Sequence, residues 1–237
     1  MSDHPAPTDT GTQLLRALEQ MGPRPALAWY GEASRIELSG HVLANWVIKA
    51  IGHLHDEIAL EPGELVVLDL PMHWKRMVLA LAAWSLGAEV VSIDREAEPE
   101  GEALDAALDA PRVVATDRPD SVLAQAADEV LALEPVSLAP RYDGELPPLA
   151  HDWLSEVRGS SDQLGVALPA WGGPAPQQPS PALSAEVPRV LLDEDGLPAA
   201  AQVLAVLLAG GGIVVPGTVV TTRQAQEEGV TGRFPEA

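Results

Sequence analysis

One strand–helix–strand stretch constrains the fold of this chain more than any other part of its sequence. Residues 65–70 form an almost continuous apolar run between turn signals, which is typical of a central parallel strand buried on both faces. Pro71 ends the run, and residues 72–86 are apolar on most sides of a predicted helix that ends at Gly87. Residues 89–93 are the next predicted strand. This order predicts a right-handed βαβ unit.

The same alternation continues on both sides of this unit, so we expect an α/β protein with a layered, mostly parallel sheet flanked by helices. Ser39 is the predicted N-cap of the second helix. Its predicted buried stripe consists of Val42, Leu43, Trp46, Val47, Ala50, Ile51 and Leu54. The other predicted helices cover residues 12–20, 119–127, 198–209 and 221–228, and the other strands cover residues 26–29, 35–38, 112–116, 130–133, 189–192 and 212–215.

Composition divides the chain into segments. Residues 1–11 are expected to be a disordered tail, and residues 12–158 an α/β domain. Residues 159–189 are rich in proline and glycine and predict a linker or irregular loop, after which residues 190–237 continue the same fold. Acidic residues dominate 94–109, for which we expect a solvated loop and helix face, with a cation site as the alternative.

Charge and cysteine content exclude several functions. Lys and Arg number 14 against 35 Asp and Glu, a formal net charge of −21, whereas binding to nucleic acid or to an anionic membrane needs a basic surface. The absence of cysteine excludes disulfides and thiolate chemistry. No signal peptide is predicted. Residues 197–222 are uncharged but are interrupted by proline and glycine, so we expect a cytoplasmic protein without a membrane span.

Six segments follow one another in a specific order and spacing. They are the strand at residues 25–27, the strand and helix entry at 35–39, the Pro-Gly turn and strand at 61–68, the Ala-x-x-x-x-Gly-Ala helix at 82–88, the leucine-rich helix and valine strand at 204–215, and the Glu-x-x-Val-Thr segment at 227–231. Together they resemble the N-terminal part of the AMP-dependent synthetases and ligases, the adenylate-forming superfamily that includes acyl-CoA synthetases. The chain looks like a truncated actinobacterial homologue of about the first half of such an enzyme.

The resemblance implies activation of a carboxylate with ATP and Mg²⁺, but the motifs that this chemistry needs are missing. The phosphate loop of these enzymes is rich in Ser, Thr and Gly and carries a Lys, because small residues let backbone N–H groups approach the phosphates. It should fall within residues 155–188, which contain no Lys or Thr and a single glycine pair, Gly172 and Gly173. Where a Pro-x-x-His turn is expected, residues 193–195 read Asp-Glu-Asp.

No residue inherits a catalytic role from the resemblance. The magnesium-binding Glu, the ribose-binding Asp and the catalytic Lys of these enzymes would lie after Ala237, and Lys49 and Lys75 match none of their positions. The sequence therefore predicts a non-catalytic homologue, without ATP or Mg²⁺ as cofactors, that binds a partner protein or a small acyl ligand. One alternative is a carboxylate-activating subunit that is completed by another chain. Another is a fragment with little function.

Three residues at the carboxyl end of the central strand are the predicted substrate-binding residues: Asp69, His73 and Trp74. Ligands of open α/β sheets bind at such strand ends. The alternative is a helix N-terminus that is packed by Trp74. His53 and His55 are two residues apart and point to different sides of a helix, so they do not predict a metal site.

Overall fold

The computed structural model describes residues 9–31, 35–93, 111–135, 138–177 and 186–234. The acidic run at residues 94–109 and most of the predicted tail lie outside the described residues. The chain divides into two compact units. The first unit comprises Met1–Trp46 and Pro174–Ala237, and the second comprises Val47–Gly173.

Helices and strands alternate along the described chain, which confirms the predicted α/β class. In chain order the elements are α1 (Thr10–Met21), β1 (Pro25–Tyr30), β2 (Arg35–Ser39), α2 (Gly40–Asp56), β3 (Leu65–Asp69), α3 (Trp74–Ser85), β4 (Glu89–Ser92), β5 (Val113–Thr116), α4 (Val122–Gln125), β6 (Glu129–Ala132), β7 (Ala150–Asp152), α5 (Trp153–Val157), β8 (Arg189–Leu192), α6 (Ala200–Leu208), β9 (Gly212–Val215), α7 (Thr222–Glu227) and β10 (Gly232–Phe234).

The first unit is built on a five-stranded sheet in the order β10-β8-β9-β1-β2. Strands β1 and β2 pair antiparallel, whereas β1, β9, β8 and β10 pair in parallel. Ala28, Leu191 and Val214 form a buried cluster in this unit, and Ala225 of α7 packs against it. The uncharged stretch at residues 197–222 supplies α6 and the buried strand β9. None of the helices in the described ranges is long and apolar enough to cross a membrane.

The second unit is built on a five-stranded sheet in the order β4-β3-β5-β6-β7, in which every pairing is parallel. Strand β3 has β4 on one side and β5 on the other, so the direction in which strands are added reverses at β3. Val67, Val114 and Ala124 form a buried cluster on this sheet. The predicted central strand is therefore central, and its apolar run is explained by its position between two parallel neighbours.

Helix α2 begins where the sequence predicts, and its buried stripe is the predicted one except at its start. The backbone N–H of Val42 donates to Ser39 Oγ at 3.2 Å, which confirms Ser39 as the N-cap. The prediction that Val42 is buried is wrong, because its side chain is 40% exposed while Leu43, Ala44 and Val47 are fully buried. The buried face is centred on Leu43, and Val42 lies about 100° away from it around the helix axis.

Two further differences from the sequence prediction concern the length of helix α4 and the end of the predicted linker before β8. Helix α4 covers only four residues of the predicted 119–127, because Ser121 is its N-cap and Ser121 Oγ accepts from Ala124 N at 3.2 Å. Of the predicted linker at residues 159–189, residues 159–177 and 186–188 are described and contain neither helix nor strand, whereas its last residue, Arg189, begins β8.

Candidate functional site

The carboxyl ends of β3 and β5 lie side by side at the point where the strand order of the second unit reverses. Asp69, the last residue of β3, is in register with Thr116, the last residue of β5. In open α/β sheets this is the crevice in which ligands bind. The structure therefore places Asp69 at the topological position that its sequence context predicts.

The carboxylate of Asp69 is held by the strand and loop beside it. Asp69 is only 2% exposed. Thr116 Oγ1 donates to its Oδ2 at 3.0 Å, and Arg118 Nη2 lies 3.1 and 3.3 Å from its two oxygens. Thr116 Oγ1 also accepts from Arg118 N at 3.0 Å, which fixes the start of the loop after β5. Buried charge is costly unless it is paired, and here Arg118 supplies the opposite charge.

His73 caps helix α3. Its Nδ1 accepts from the backbone N–H of Lys75 at 3.2 Å, in the manner of an N-cap side chain. Burial, and to a lesser extent the charge of Lys75, lower the pKa of His73 to about 3. The imidazole is therefore neutral at physiological pH, as an acceptor at this position must be.

Trp74 and Lys75 are buried behind that cap. The Trp74 ring lies 5.5 Å from the His73 ring and tilts by 38° to it. Lys75 Nζ donates to the carbonyl oxygen of Glu134 at 2.6 Å and lies 5.8 Å from the Trp74 ring centroid. Burial lowers the pKa of Lys75 to about 8. The structure thus brings His73 and Trp74 together, as the packed beginning of a helix.

An open groove of about 400 Å³ lies next to the loop that carries Arg118. Tyr142 is one of its walls, and the Tyr142 hydroxyl donates to the carbonyl oxygen of Asp117 at 3.1 Å. Arg118 is itself half exposed, at 56% of its side chain. The groove therefore lies beside the loop whose Arg118 balances the charge of Asp69. Its lining residues are Pro119, Asp120, Tyr142, Glu145, Leu146, Pro147 and Pro148.

The glycine pair in the predicted phosphate-loop segment is packed against helix α3 and the residues that follow it. The backbone N–H of Gly172 donates to the carbonyl oxygen of Trp84 at 2.9 Å. A Cβ on Gly172 would lie 2.3 Å from the carbonyl oxygen of Ala88, and one on Gly173 would lie 2.5 Å from the Trp84 ring. Gly172 thus allows two backbone segments to approach closely, and Gly173 leaves room for the Trp84 ring. Residues 178–185 of the same segment lie outside the described residues.

The three acids at residues 193–195 lie in the first unit and build the turn before α6. Asp193 forms an ion pair with Arg233. Asp195 is buried, and its Oδ1 accepts from Leu197 N at 3.2 Å. Asp193 and Asp195 thus have structural contacts within the first unit at the position where a histidine was expected.

Sequence reasoning missed Thr116, Arg118 and Tyr142. The end of the predicted strand at residues 112–116 marked Thr116 and the loop of Arg118, but nothing in the sequence indicated that this strand lies beside β3. Tyr142 carried no signal, since it lies in a segment without helix or strand periodicity and meets Asp117 only through the fold.

Comparison with known proteins supports the predicted resemblance. No family model matches the sequence. Over 153 residues the chain is 33% identical to a TIGR03089 family protein of Mycobacterium tuberculosis, a match that covers 64% of this chain and 58% of that relative. The chain thus spans little more than half the length of the curated relative it matches.

Solved structures of adenylate-forming enzymes share the fold. A Brucella canis acyl-CoA synthetase superposes with a TM-score of 0.68 and 15% identity, over 93% of this chain and 46% of that one. The N-terminal subdomain of Klebsiella oxytoca NpsA, in complex with 3-hydroxybenzoyl-AMSN, superposes with a TM-score of 0.62 and 17% identity, over 93% of this chain and 58% of that one. Acetoacetyl-CoA synthetase from Streptomyces lividans superposes with a TM-score of 0.61 and 16% identity, over 96% of this chain and 39% of that one. The fold is therefore that of the N-terminal region of acyl-CoA synthetases and adenylation domains, which confirms the predicted architecture.

Proposed function

We propose that this chain is a non-catalytic binding protein with the fold of the N-terminal region of adenylate-forming enzymes. The observation that carries the proposal is the inward hydrogen bond of Gly172 to Trp84. A phosphate cradle needs small residues whose backbone N–H groups point at the ligand. In this chain the glycine pair of the corresponding segment packs closely against the end of α3, so the N–H group of Gly172 does not form part of such a cradle.

The side chains of that segment support the same proposal. Residues 155–188 contain no Lys and no Thr, so the segment itself offers neither an ammonium group nor a threonine hydroxyl to phosphate oxygens. The ammonium group of Lys49 reaches the segment from α2, but it donates to the carbonyl oxygens of Arg158 and Ser160. The one arginine among them, Arg158, donates from Nη1 to the carbonyl oxygen of Pro140 at 3.0 Å. We therefore expect no ATP and no Mg²⁺ as cofactors of this chain.

The groove beside Arg118 is the binding surface in this proposal, and a basic segment of a partner protein is its ligand. Tyr142 and three prolines offer a rigid apolar wall, while Asp120 and Glu145 bring negative charge to the same groove. Rigid aromatic and proline surfaces bind extended chain segments well, and opposite charges across an interface favour the encounter. A small acyl anion would be repelled by the two carboxylates, so the partner protein is the better fit.

The chain would act in the cytoplasm.

A second candidate function is a carboxylate-activating subunit that another chain completes. The N-terminal subdomain of NpsA, of which this chain covers 58%, is in complex with 3-hydroxybenzoyl-AMSN, so a protein that includes this fold can hold such a compound. If this chain does the same, its fold would supply one wall of an active site, and the partner would supply the rest.

Exchange of labelled pyrophosphate into ATP separates the two candidates. The chain is incubated with ATP, Mg²⁺ and a panel of aliphatic and aromatic carboxylic acids, alone and with each protein that co-purifies with it. The binding-protein proposal predicts no exchange in any mixture. Exchange by the chain alone would overturn it, and exchange that needs a co-purifying protein would establish the subunit instead.

Charge reversal tests the groove itself. A co-purifying protein that binds the groove should be lost when Asp120→Lys and Glu145→Lys are combined. It should be retained in the matched control Asp162→Lys, an exposed acid of the same unit outside the groove. Retention in the double variant would show that the partner binds elsewhere.

A further inference from the structure

The second unit brings two imidazoles and one carboxylate to a single point. His53 comes from α2, His151 from β7 and Glu156 from α5, and their ligand atoms all lie within 4.8 Å of one another. Glu156 Oε2 lies 2.9 Å from His53 Nε2 and 2.7 Å from His151 Nδ1. The two rings are nearly perpendicular, with centroids 5.9 Å apart. Both histidines thus direct a nitrogen at the same oxygen.

We propose that His53, His151 and Glu156 form a zinc-binding site. Two imidazoles and one carboxylate are a well-established ligand set for zinc, which then takes water in its fourth position. Water can reach this position because Glu156 and His151 are 38% and 24% exposed, whereas the His53 side chain is fully buried. This inference does not depend on the proposed function.

A tetrahedral ion fits this cluster if its three separations adjust, and the two imidazole nitrogens, which lie within 4.8 Å of each other, must end about 3.3 Å apart. Zinc bonds of about 2.0–2.1 Å place tetrahedral ligand atoms about 3.3 Å apart. The two nitrogen–oxygen distances at Glu156 would therefore open by about half an ångström. Glu156 can supply that movement by rotating its carboxylate, because it lies on the exposed side of the cluster.

Zinc binding would replace the hydrogen bonds within the cluster. Without an ion, His53 Nε2 and His151 Nδ1 lie at hydrogen-bond distance from Glu156 Oε2. Zinc takes the lone pair of each imidazole and an ionised carboxylate. A proton on either of these two nitrogens would therefore move to the other nitrogen of its ring or be released.

A second carboxylate orients His151 from the other side of its ring. Glu129 Oε2 lies 3.3 Å from His151 Nε2, while Nδ1 of the same ring faces Glu156. Arg112 Nη1 lies 3.5 Å from Glu129 Oε1 and holds that carboxylate in place. A carboxylate that accepts from the far nitrogen of a histidine is the usual support of a zinc ligand, since it fixes which nitrogen has the lone pair.

The site would fasten the edge of the sheet. Strand β7 is three residues long and, among the described strands, pairs with β6 alone at the end of the sheet. Helix α5, directly after it, has five residues. Such short elements have few contacts of their own. An ion shared by β7, α5 and α2 would hold both elements against a long helix.

Metal titration of the full chain without an affinity tag tests the proposal. The chain is stripped with a chelator and titrated with Zn²⁺ in a calorimeter, and with Co²⁺ in a spectrophotometer. We expect one Zn²⁺ per chain, the visible absorption bands of tetrahedral Co²⁺, and no heat with Mg²⁺. Free Zn²⁺ at 100 times its dissociation constant should raise the melting temperature by about 5–10 °C. Failure of Zn²⁺ to bind, or to shift the melting temperature, would overturn the site.

Variants identify the ligands. His53→Asn should abolish Zn²⁺ binding, and the matched control His55→Asn, on the exposed side of the same helix, should not. Glu156→Gln keeps the size and hydrogen-bonding capacity of an exposed side chain, so it should fold and still lose about 100-fold or more in affinity. Glu129→Gln should lose about 10–100-fold. Zn²⁺ binding that survives Glu156→Gln unchanged, or that is lost equally in His55→Asn, would show that the ion lies elsewhere.

Discussion

Arg118 spans the carboxylate of Asp69, with Nη2 at 3.1 and 3.3 Å from its two oxygens, at the carboxyl end of the central strand. The two residues are 49 positions apart; Asp69 ends β3 and Arg118 lies in the loop after β5, so the contact exists only because β3 and β5 are adjacent. An acid that topology places in a ligand crevice is thus already paired within the chain.

Arg118→Ala should destabilise the second unit, because it leaves the buried carboxylate of Asp69 with a weaker set of partners. The loss should be about 1–2 kcal/mol, less than for a fully buried pair because Arg118 is half exposed. Arg141→Ala, an exposed arginine of the same unit, should change stability by less than about 0.5 kcal/mol. Urea unfolding measures both. Equal effects of the two variants would mean that the pairing with Asp69 contributes nothing.

Gly172→Ala should destabilise the chain strongly, since the new Cβ would lie 2.3 Å from the carbonyl oxygen of Ala88 and backbone cannot move aside cheaply. We expect a loss of about 2–4 kcal/mol in urea unfolding. Gly165→Ala is the control, because no atom lies within 4 Å of its added Cβ. It should be neutral or stabilise by up to about 1 kcal/mol. A harmless Gly172→Ala would remove the packing role of this glycine.

His73→Asn should make the chain more resistant to acid. Burial lowers the pKa of His73 to about 3, from an ordinary value of 6.5. Between these two pH values the unfolded chain binds more protons than the folded chain, so the free energy of unfolding falls as the pH falls. Asparagine does not titrate and is a good N-cap, so it can still accept from Lys75 N. The stability difference between variant and wild type should therefore grow in favour of His73→Asn from pH 6.5 towards pH 3, as thermal unfolding can measure. A difference that is constant with pH would show that His73 is not held neutral.

Glu228 should stabilise the first unit at neutral pH, and this stabilisation should be lost in acid. Burial alone would raise the pKa of Glu228, but hydrogen bonds from Arg35, Arg189 and Tyr30 lower it to about 2. The stabilisation is present above the ordinary value of 4.5 and is lost as the pH falls towards about 2. Glu228→Gln should therefore be less stable than wild type at pH 7, and the difference should shrink below pH 4.5. In Glu227→Gln, which alters the exposed neighbouring carboxylate, no such convergence is expected.

The sequence predicted the helices and strands of the fold well, because the spacing of apolar residues and the position of turn residues are local signals. The run at residues 65–70 identified the central strand, and Ser39 marked the start of α2. Val42 was misplaced because one apolar residue at the edge of a helical stripe does not decide which way the stripe faces. Strand order is not local, so no motif indicated that β5 would lie beside β3.

The candidate sites were harder to predict for the same physical reason. Asp69 was expected at the ligand crevice, but its partner Arg118 follows a different strand. His53 was compared with His55 on its own helix, whereas the cluster is completed by His151 and Glu156 about a hundred residues later. Side chains that converge from three elements leave no pattern in any one of them.

Calorimetric titration of the chain with ATP in the presence of Mg²⁺ tests the central claim most directly. The inward hydrogen bond of Gly172 and the lack of Lys and Thr in residues 155–188 predict no saturable heat at millimolar ATP. Binding of one ATP per chain with micromolar affinity would contradict the account, because it would require a phosphate site that these residues do not provide.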